Sequence, residues 1–322
     1  MIIFSYACTD GGITARSLSL TSKYLASVAA PFLYRTLSVA GVASIQRAYT
    51  HLSALSPERR SVYHLFLSDK PAIDALPDVH FVAPDPESLA SVERHQFLHQ
   101  TDASEASALP DIATALLRLL SPTLRTLACI LFNPLQSAFF AHLSIAPFPF
   151  LTDLTLRLSE RVLLPPSPMP FVRLPNLQRF HFASNRYLST SAAPILHLFA
   201  TTCPRLTLLR ISDLRLMPGC AATLCRMLGR VPIRDQYGWM PSPDALHRVP
   251  RLPFRIRSLF VQLEELDTGG YEAHLLQRMA EMDYADSFVL LPNARKRTYA
   301  QWKEEWIAVT EGDLSHWEGA GV

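Results

Sequence analysis

Hydrophobic and polar positions alternate along this chain in short bursts. In Leu151-Thr152-Asp153-Leu154-Thr155-Leu156 the spacing is Leu-x-x-Leu-x-Leu. Its last three residues send two leucines to one face of an extended segment and the threonine to the other. Degenerate copies recur: Phe180 and Phe182 follow Leu177, Leu209 and Ile211 follow Leu206, and Leu127 follows Leu124. Further extended segments are read at 61–67, 257–261 and 287–292. The second position of each cassette gives the series Leu37, Leu65, Leu127, Leu154, Phe180, Leu209, Leu259, Phe288, with spacings of 28, 62, 27, 26, 29, 50 and 29 residues. A unit of roughly 20–29 residues carrying one strand predicts a stack of parallel strands linked by helices. The two long spacings are about double the others, and they predict one unit without a signature in each gap.

Between these strands the period changes to that of a helix. Ile45, Tyr49 and Leu52 share a helical face, as do Ile112, Leu116, Leu119 and Leu120. Ile195, Leu196 and Phe199 make a third such face, and Leu224, Met227 and Leu228 a fourth. Pro204 in Thr202-Cys203-Pro204-Arg205-Leu206 stops one helix before the next strand. Near the N-terminus, Thr14 predicts the cap of one helix running through Leu18, Leu20, Tyr24 and Leu25 to Val28 and Ala29, ended by Pro31. Near the C-terminus, Thr298 predicts the cap of a helix with Trp302 and Trp306 on one face, expected to plate the last layer of the stack. Residues 68–110, and 159–175 with their run of prolines, read as loop excursions.

Composition narrows the function classes. Apolar residues make up 49% and charged residues 18%, which supplies material for a large core and argues against global disorder. Thirty basic side chains balance 28 acidic ones, which gives no general reason to expect nucleic acid or an anionic membrane. No apolar run approaches the ~20 residues of a membrane span, and the N-terminus does not read as a signal peptide. The cysteines, Cys8, Cys129, Cys203, Cys220 and Cys225, form no Cys-x-x-Cys pair and fit reduced thiols in a cytoplasmic or nuclear protein.

Candidate chemistry is thin. His95 and His99 are four apart, but Gln96 stands where a metalloprotease helix has glutamate, so they read as solvated. Cys220 and Cys225 have no metal spacing. Asp10-Gly11-Gly12 is a turn, and no Gly-x-Ser-x-Gly elbow occurs. Glu264, Glu265 and Asp267 read as a solvated rim at a strand end, and Arg295-Lys296-Arg297 as a turn beside a helix. No cofactor and no metal are expected.

One stretch carries a resemblance. Ser17-Leu18-Ser19-Leu20-Thr21-Ser22-Lys23-Tyr24-Leu25, followed by Ala29-Ala30-Pro31-Phe32-Leu33-Tyr34-Arg35-Thr36-Leu37, resembles the second half of an F-box and its exit. Ile2-Ile3-Phe4-Ser5-Tyr6 resembles the end of the F-box's first helix, and Tyr6 through Leu20 is similar to fungal F-box/leucine-rich-repeat proteins. The family's opening Leu-Pro-x-Glu would lie ahead of Met1, which predicts an F-box shortened at its N-terminus. The resemblance implies an α/β leucine-rich-repeat-like solenoid over 41–292, behind a small all-α F-box-like cap at 1–40. The segment 293–322 would form the capping helix and tail. It also implies a non-catalytic protein that recognises substrates for a cullin-type (SCF) ubiquitin ligase through a Skp-type adaptor. Ile3, Phe4, Leu18, Leu20, Leu25, Pro31 and Leu33 would then supply adaptor or cap contacts. Partner contacts with an unidentified protein substrate are expected from outward strand positions: Thr155, His181, Arg210 and Gln262. Two alternatives stand beside this reading. One is a free-standing repeat scaffold that no longer binds the adaptor. The other is an α/β enzyme, which would show a doubly wound sheet with a pocket at a switch point.

Overall fold

The computed structural model describes residues 13–70, 109–132, 147–158, 174–184, 193–214, 216, 218–230, 249, 251–265, 270–283, 287–295, 297–313 and 315–318. The strands are β1 (Thr36–Ala40), β2 (His64–Ser68), β3 (Thr126–Ile130), β4 (Asp153–Leu158), β5 (Arg179–Ser184), β6 (Leu208–Leu214), β7 (Ser258–Glu264) and β8 (Phe288–Ala294). They form one sheet, every pair parallel, with spatial order the same as chain order. The order never reverses, so the described strands contain no switch point of the doubly wound kind.

Register follows the leucine series. Leu37 pairs with Leu65, Leu65 with Leu127, Leu127 with Leu154 and Leu154 with Phe180. Phe180 then pairs with Leu209, Leu209 with Leu259 and Leu259 with Phe288. The expectation of a lost strand in each long gap is corrected here. β2 pairs directly with β3, and β6 directly with β7, so each doubled spacing is inserted chain within one crossover. Chain closure costs only a logarithm of loop length, so such insertions leave the register alone.

A repeated device sets each strand's start. The Arg35 carbonyl accepts from the N–H groups of both Tyr63 (2.8 Å) and His64 (2.9 Å), and the Tyr63 carbonyl from those of Arg125 (2.7 Å) and Thr126 (3.0 Å). Arg125, Thr152, Gln178 and Thr207 continue the ladder in the same way. From β3 to β7, a turn containing Pro122, Pro149, Pro175, Pro204 or Pro253 comes just before the apolar residue that opens each cassette. Proline ends the preceding helix or loop and fixes the backbone for the turn.

The helices are α1 (Ile13–Thr21), α2 (Lys23–Ala29), α3 (Val42–Ser53), α4 (residues 109–120), α5 (Ala193–Thr202), α6 (Cys220–Met227), α7 (Tyr271–Glu281), α8 (Tyr299–Glu311) and α9 (Ser315–Glu318). Helices α3 to α7 cover one face of the sheet. Their residues Ile45, Leu52, Leu116, Leu120, Leu196, Phe199, Leu224 and Leu276 join the strand residues of the leucine series and their neighbours two along in one buried core. The single N-terminal helix expected from the sequence is two. Ser22 adopts an extended backbone, and its hydroxyl accepts the Leu25 N–H at 3.1 Å, capping α2 and breaking the chain away from α1. The Thr298 cap forms with a full capping box through Gln301.

Candidate functional site

The second face of the sheet holds the outward positions. Phe66, Ala128, Thr155, His181, Arg210, Phe260 and Val289 pair side by side from β2 to β8. The next row includes Arg157 and Ala183. A face of this kind could take a partner, but here the chain itself occupies it. Tyr299, Trp302 and Trp306 of α8 pack with Phe66, Ala128, Ile130, Phe132 and Ala183 in a second core. The Trp306 and Phe66 rings lie 5.6 Å apart, and the Trp302 and His181 rings 5.3 Å apart. Trp317 of α9 covers Phe260 and Leu291.

This placement corrects the expected end plate: α8 lies across the middle of the sheet. The reason is electrostatic as well as apolar. Glu305 falls between the two tryptophans on the buried side of α8. Its carboxylate meets Arg210 at 3.1 Å, Arg297 at 3.1 Å and His181 Nδ1 at 3.3 Å. An end plate over apolar layers would give that carboxylate no cation.

Around Glu305 the charges balance. Arg157, Arg210 and Arg297 stand with Asp213, Glu264 and Glu305. Arg297 donates to Gln262 Oε1 and approaches Asp213 Oδ1 at 3.5 Å, while its guanidinium lies 4.9 Å from the Trp302 ring centre. Gln262 Oε1 also accepts from Arg210 (3.1 Å), and its amide donates to the Pro292 carbonyl (3.0 Å). Arg157 donates to the Leu131 carbonyl at 2.7 Å with its guanidinium over the Phe132 ring. Asp213 reaches the cluster from the left-handed backbone region, at φ 55°, where a bulge shifts β6 against β7. Aspartate tolerates that conformation better than most side chains.

The protonation states follow. Burial raises the Glu305 carboxyl, but Arg297, His181 and Arg210 outweigh burial and hold it well below the usual carboxylate range. Burial lowers the His181 ring to about 3, with Arg210 adding to the effect, so the ring is neutral at neutral pH. Because a carboxylate can only accept, Nδ1 carries the proton toward Glu305 and Nε2 accepts from the Ser212 hydroxyl at 2.8 Å. Burial lowers Arg210 to about 10, which leaves it charged. Burial comes first in raising the Asp213 carboxyl.

Three of the four expected partner-contact residues are therefore corrected. His181, Arg210 and Gln262 point out of the leucine core as expected, but they are 1%, 3% and 4% exposed beneath α8. Thr155 is half-buried on the same face. Glu264, read as solvated, is buried; Glu265 is exposed and pairs with Arg295 at 2.7 Å. Of the expected cap and adaptor residues, Leu18 and Leu33 pack against Ala15 and Phe32 inside the N-terminal pair. Leu25 is half-buried, Leu20 is 80% exposed and Pro31 opens the exit in the short 3-10 turn Ala30–Phe32. Ile3, Phe4, His95, His99, Cys8 and Asp267 lie outside the described residues, as does most of both loop excursions. Sequence reasoning missed the ion cluster. Its signal was a glutamate set between two tryptophans on one helix face, opposite a strand row that includes His181 and Arg210.

The ion cluster ties α8 to β5, β6 and β7 and so holds the chain together. Among the described residues no group of His, Cys, Asp and Glu could hold a metal ion. Cys129, Cys203, Cys220 and Cys225 are buried, and burial raises the Cys203 thiol to about 11. No described helix is long and apolar enough to cross a membrane. Comparisons with family models, with curated proteins and with solved structures find no match.

Proposed function

We propose that this chain is a non-catalytic interaction module, an F-box-like leucine-rich-repeat protein that recognises substrates for a cullin-type ubiquitin ligase. The observation that carries the reading is the N-terminal helix pair. Among described residues whose large apolar side chains are mostly buried, Leu20 and Tyr24 stand 80% and 75% exposed on consecutive helices, just ahead of the Pro31 exit into β1. Two neighbouring exposed apolar side chains on a small, self-packed helical unit suit a partner's apolar groove. The F-box resemblance implies a Skp-type adaptor as that partner. The in-order parallel stack favours the solenoid reading of the remainder over a doubly wound enzyme. Its role would be to hold a protein substrate at a fixed distance from the adaptor, with transfer of ubiquitin left to other subunits.

Co-purification of the full chain with a Skp-type adaptor tests this. The wild-type chain should retain the adaptor. L20E/Y24E should lose it while keeping the wild-type melting temperature, since both positions are exposed. Absence of adaptor from the wild-type preparation would leave the free-standing scaffold, with partner binding and no ligase, as the reading that stands.

A further inference from the structure

Helix α8 covers His181, Arg210 and Gln262 on the outward face, which turns attention to the other described surfaces. The edge formed by the N-terminal ends of the strands has the composition to meet a partner. The turns leading into β3 to β7 (residues 121–125, 147–152, 174–178, 203–207 and 251–257) contain Arg125, Arg205, Arg251, Arg255 and Arg257, with no aspartate, glutamate or lysine. The chain's net charge of +2 hides this segregation. Arg125, Arg205, Arg251 and Arg257 are exposed, whereas Arg255 is used internally on the Ala200 and Cys203 carbonyls. Two described carboxylates beside this edge are spent within the fold, Asp153 on Arg179 and Asp283 on Arg230 at 2.5 Å, while Glu58 ahead of β2 is exposed.

Two aromatic rings lie among these cations. Phe254 is fully exposed and Phe150 is 57% exposed, both in the same turns. The guanidinium groups are partly organised in advance. Arg125 sits 4.9 Å from the Tyr63 ring centre, and Arg205 donates to Asn176 Oδ1 at 2.7 Å, while Asn176 in turn donates to the Pro149 carbonyl at 2.5 Å. Such anchoring lowers the ordering cost of binding.

The geometry points to this edge as a docking surface for an extended acidic peptide segment of a partner protein, with carboxylates on the arginines and apolar side chains against Phe150 and Phe254. Four strand steps of about 4.8 Å separate β3 from β7, so the edge spans roughly 20 Å, or about six extended residues. Guanidinium groups pair carboxylates in bidentate fashion. Four exposed cations are few for nucleic acid, where binding of useful strength neutralises about six to ten phosphates. The inference depends on the interaction-module reading and not on the adaptor.

The test is a panel of fluorescein-labelled twelve-residue peptides of matched apolar content and graded net charge, from +4 to −6 (roughly the range that an edge of four cations should resolve), titrated against the full chain by anisotropy. Affinity should rise with negative charge and weaken with salt. R205E/R257E should bind the most acidic peptide roughly tenfold less tightly with an unchanged melting temperature. Affinity independent of charge, or charge dependence untouched by R205E/R257E, would overturn the proposal. So would preference for an oligouridylate of equal charge over the acidic peptide. L20E/Y24E should leave the peptide titration unchanged, so failure here is distinguishable from failure of adaptor binding.

Discussion

Glu305 is 13% exposed at its side chain and answers three partners, two of them cations at all pH values of interest. Removing its charge strands Arg210 and Arg297 in low dielectric, which is costlier than never having built the cluster. E305Q should therefore destabilise the fold by about 3 kcal/mol, read as a lower urea midpoint with an unchanged slope. His181 and His64 give a second residue-scale outcome. Burial lowers them to about 3 and about 4 from an ordinary 6.5, so the folded protein keeps both rings neutral. Arg210, Arg297 and Glu305 face the first; Arg125, Asp153 and Arg35 face the second. The unfolded chain takes up these protons below about pH 6.5. Stability is thus complete above that value and falls as pH drops toward the folded values, by roughly 1.4 kcal/mol per pH unit for each ring. Denaturant unfolding at pH 5 should show about 4 kcal/mol less stability than at pH 7, with H181Q removing about half of the difference. A flat profile would contradict neutral burial.

Strands were legible because each is a short alternation buried on its helix-covered side, and the leucine series matched the register of all seven pairs. Inserted chain between Leu65 and Leu127 was not legible as such, since a lost strand and a long crossover leave the same spacing. Helix α8 was legible as a capped helix with a tryptophan face, but not its destination. A tryptophan pair fits any apolar surface, and only the charge partners of Glu305 choose the middle of the sheet over its end. The outward row misled for the same reason. Direction can be read from alternation, whereas exposure depends on a segment more than 90 residues away from Arg210 in sequence. Truncation after Arg297 should uncover Phe66, Ile130, Phe132 and Phe260, raise binding of a hydrophobic dye and lower the melting temperature sharply. A truncated chain with unchanged melting would show that α8 contributes no core.

At the scale of the molecule, the sheet has a helix-covered face, a face closed by the chain's own C-terminal segment, and an arginine-bearing edge. The N-terminal helix pair stands ahead of the first strand. Among the described residues, the exposed Leu20–Tyr24 region and the strand-start edge are the two surfaces proposed to meet partners. Adaptor docking is the claim on which the proposed ligase role turns. Titration calorimetry of the full chain against a purified Skp-type adaptor measures it most directly. The account predicts saturable one-to-one binding that L20E/Y24E abolishes and R205E/R257E leaves intact; no heat of binding from a folded wild-type chain, or equal binding by L20E/Y24E, would contradict it.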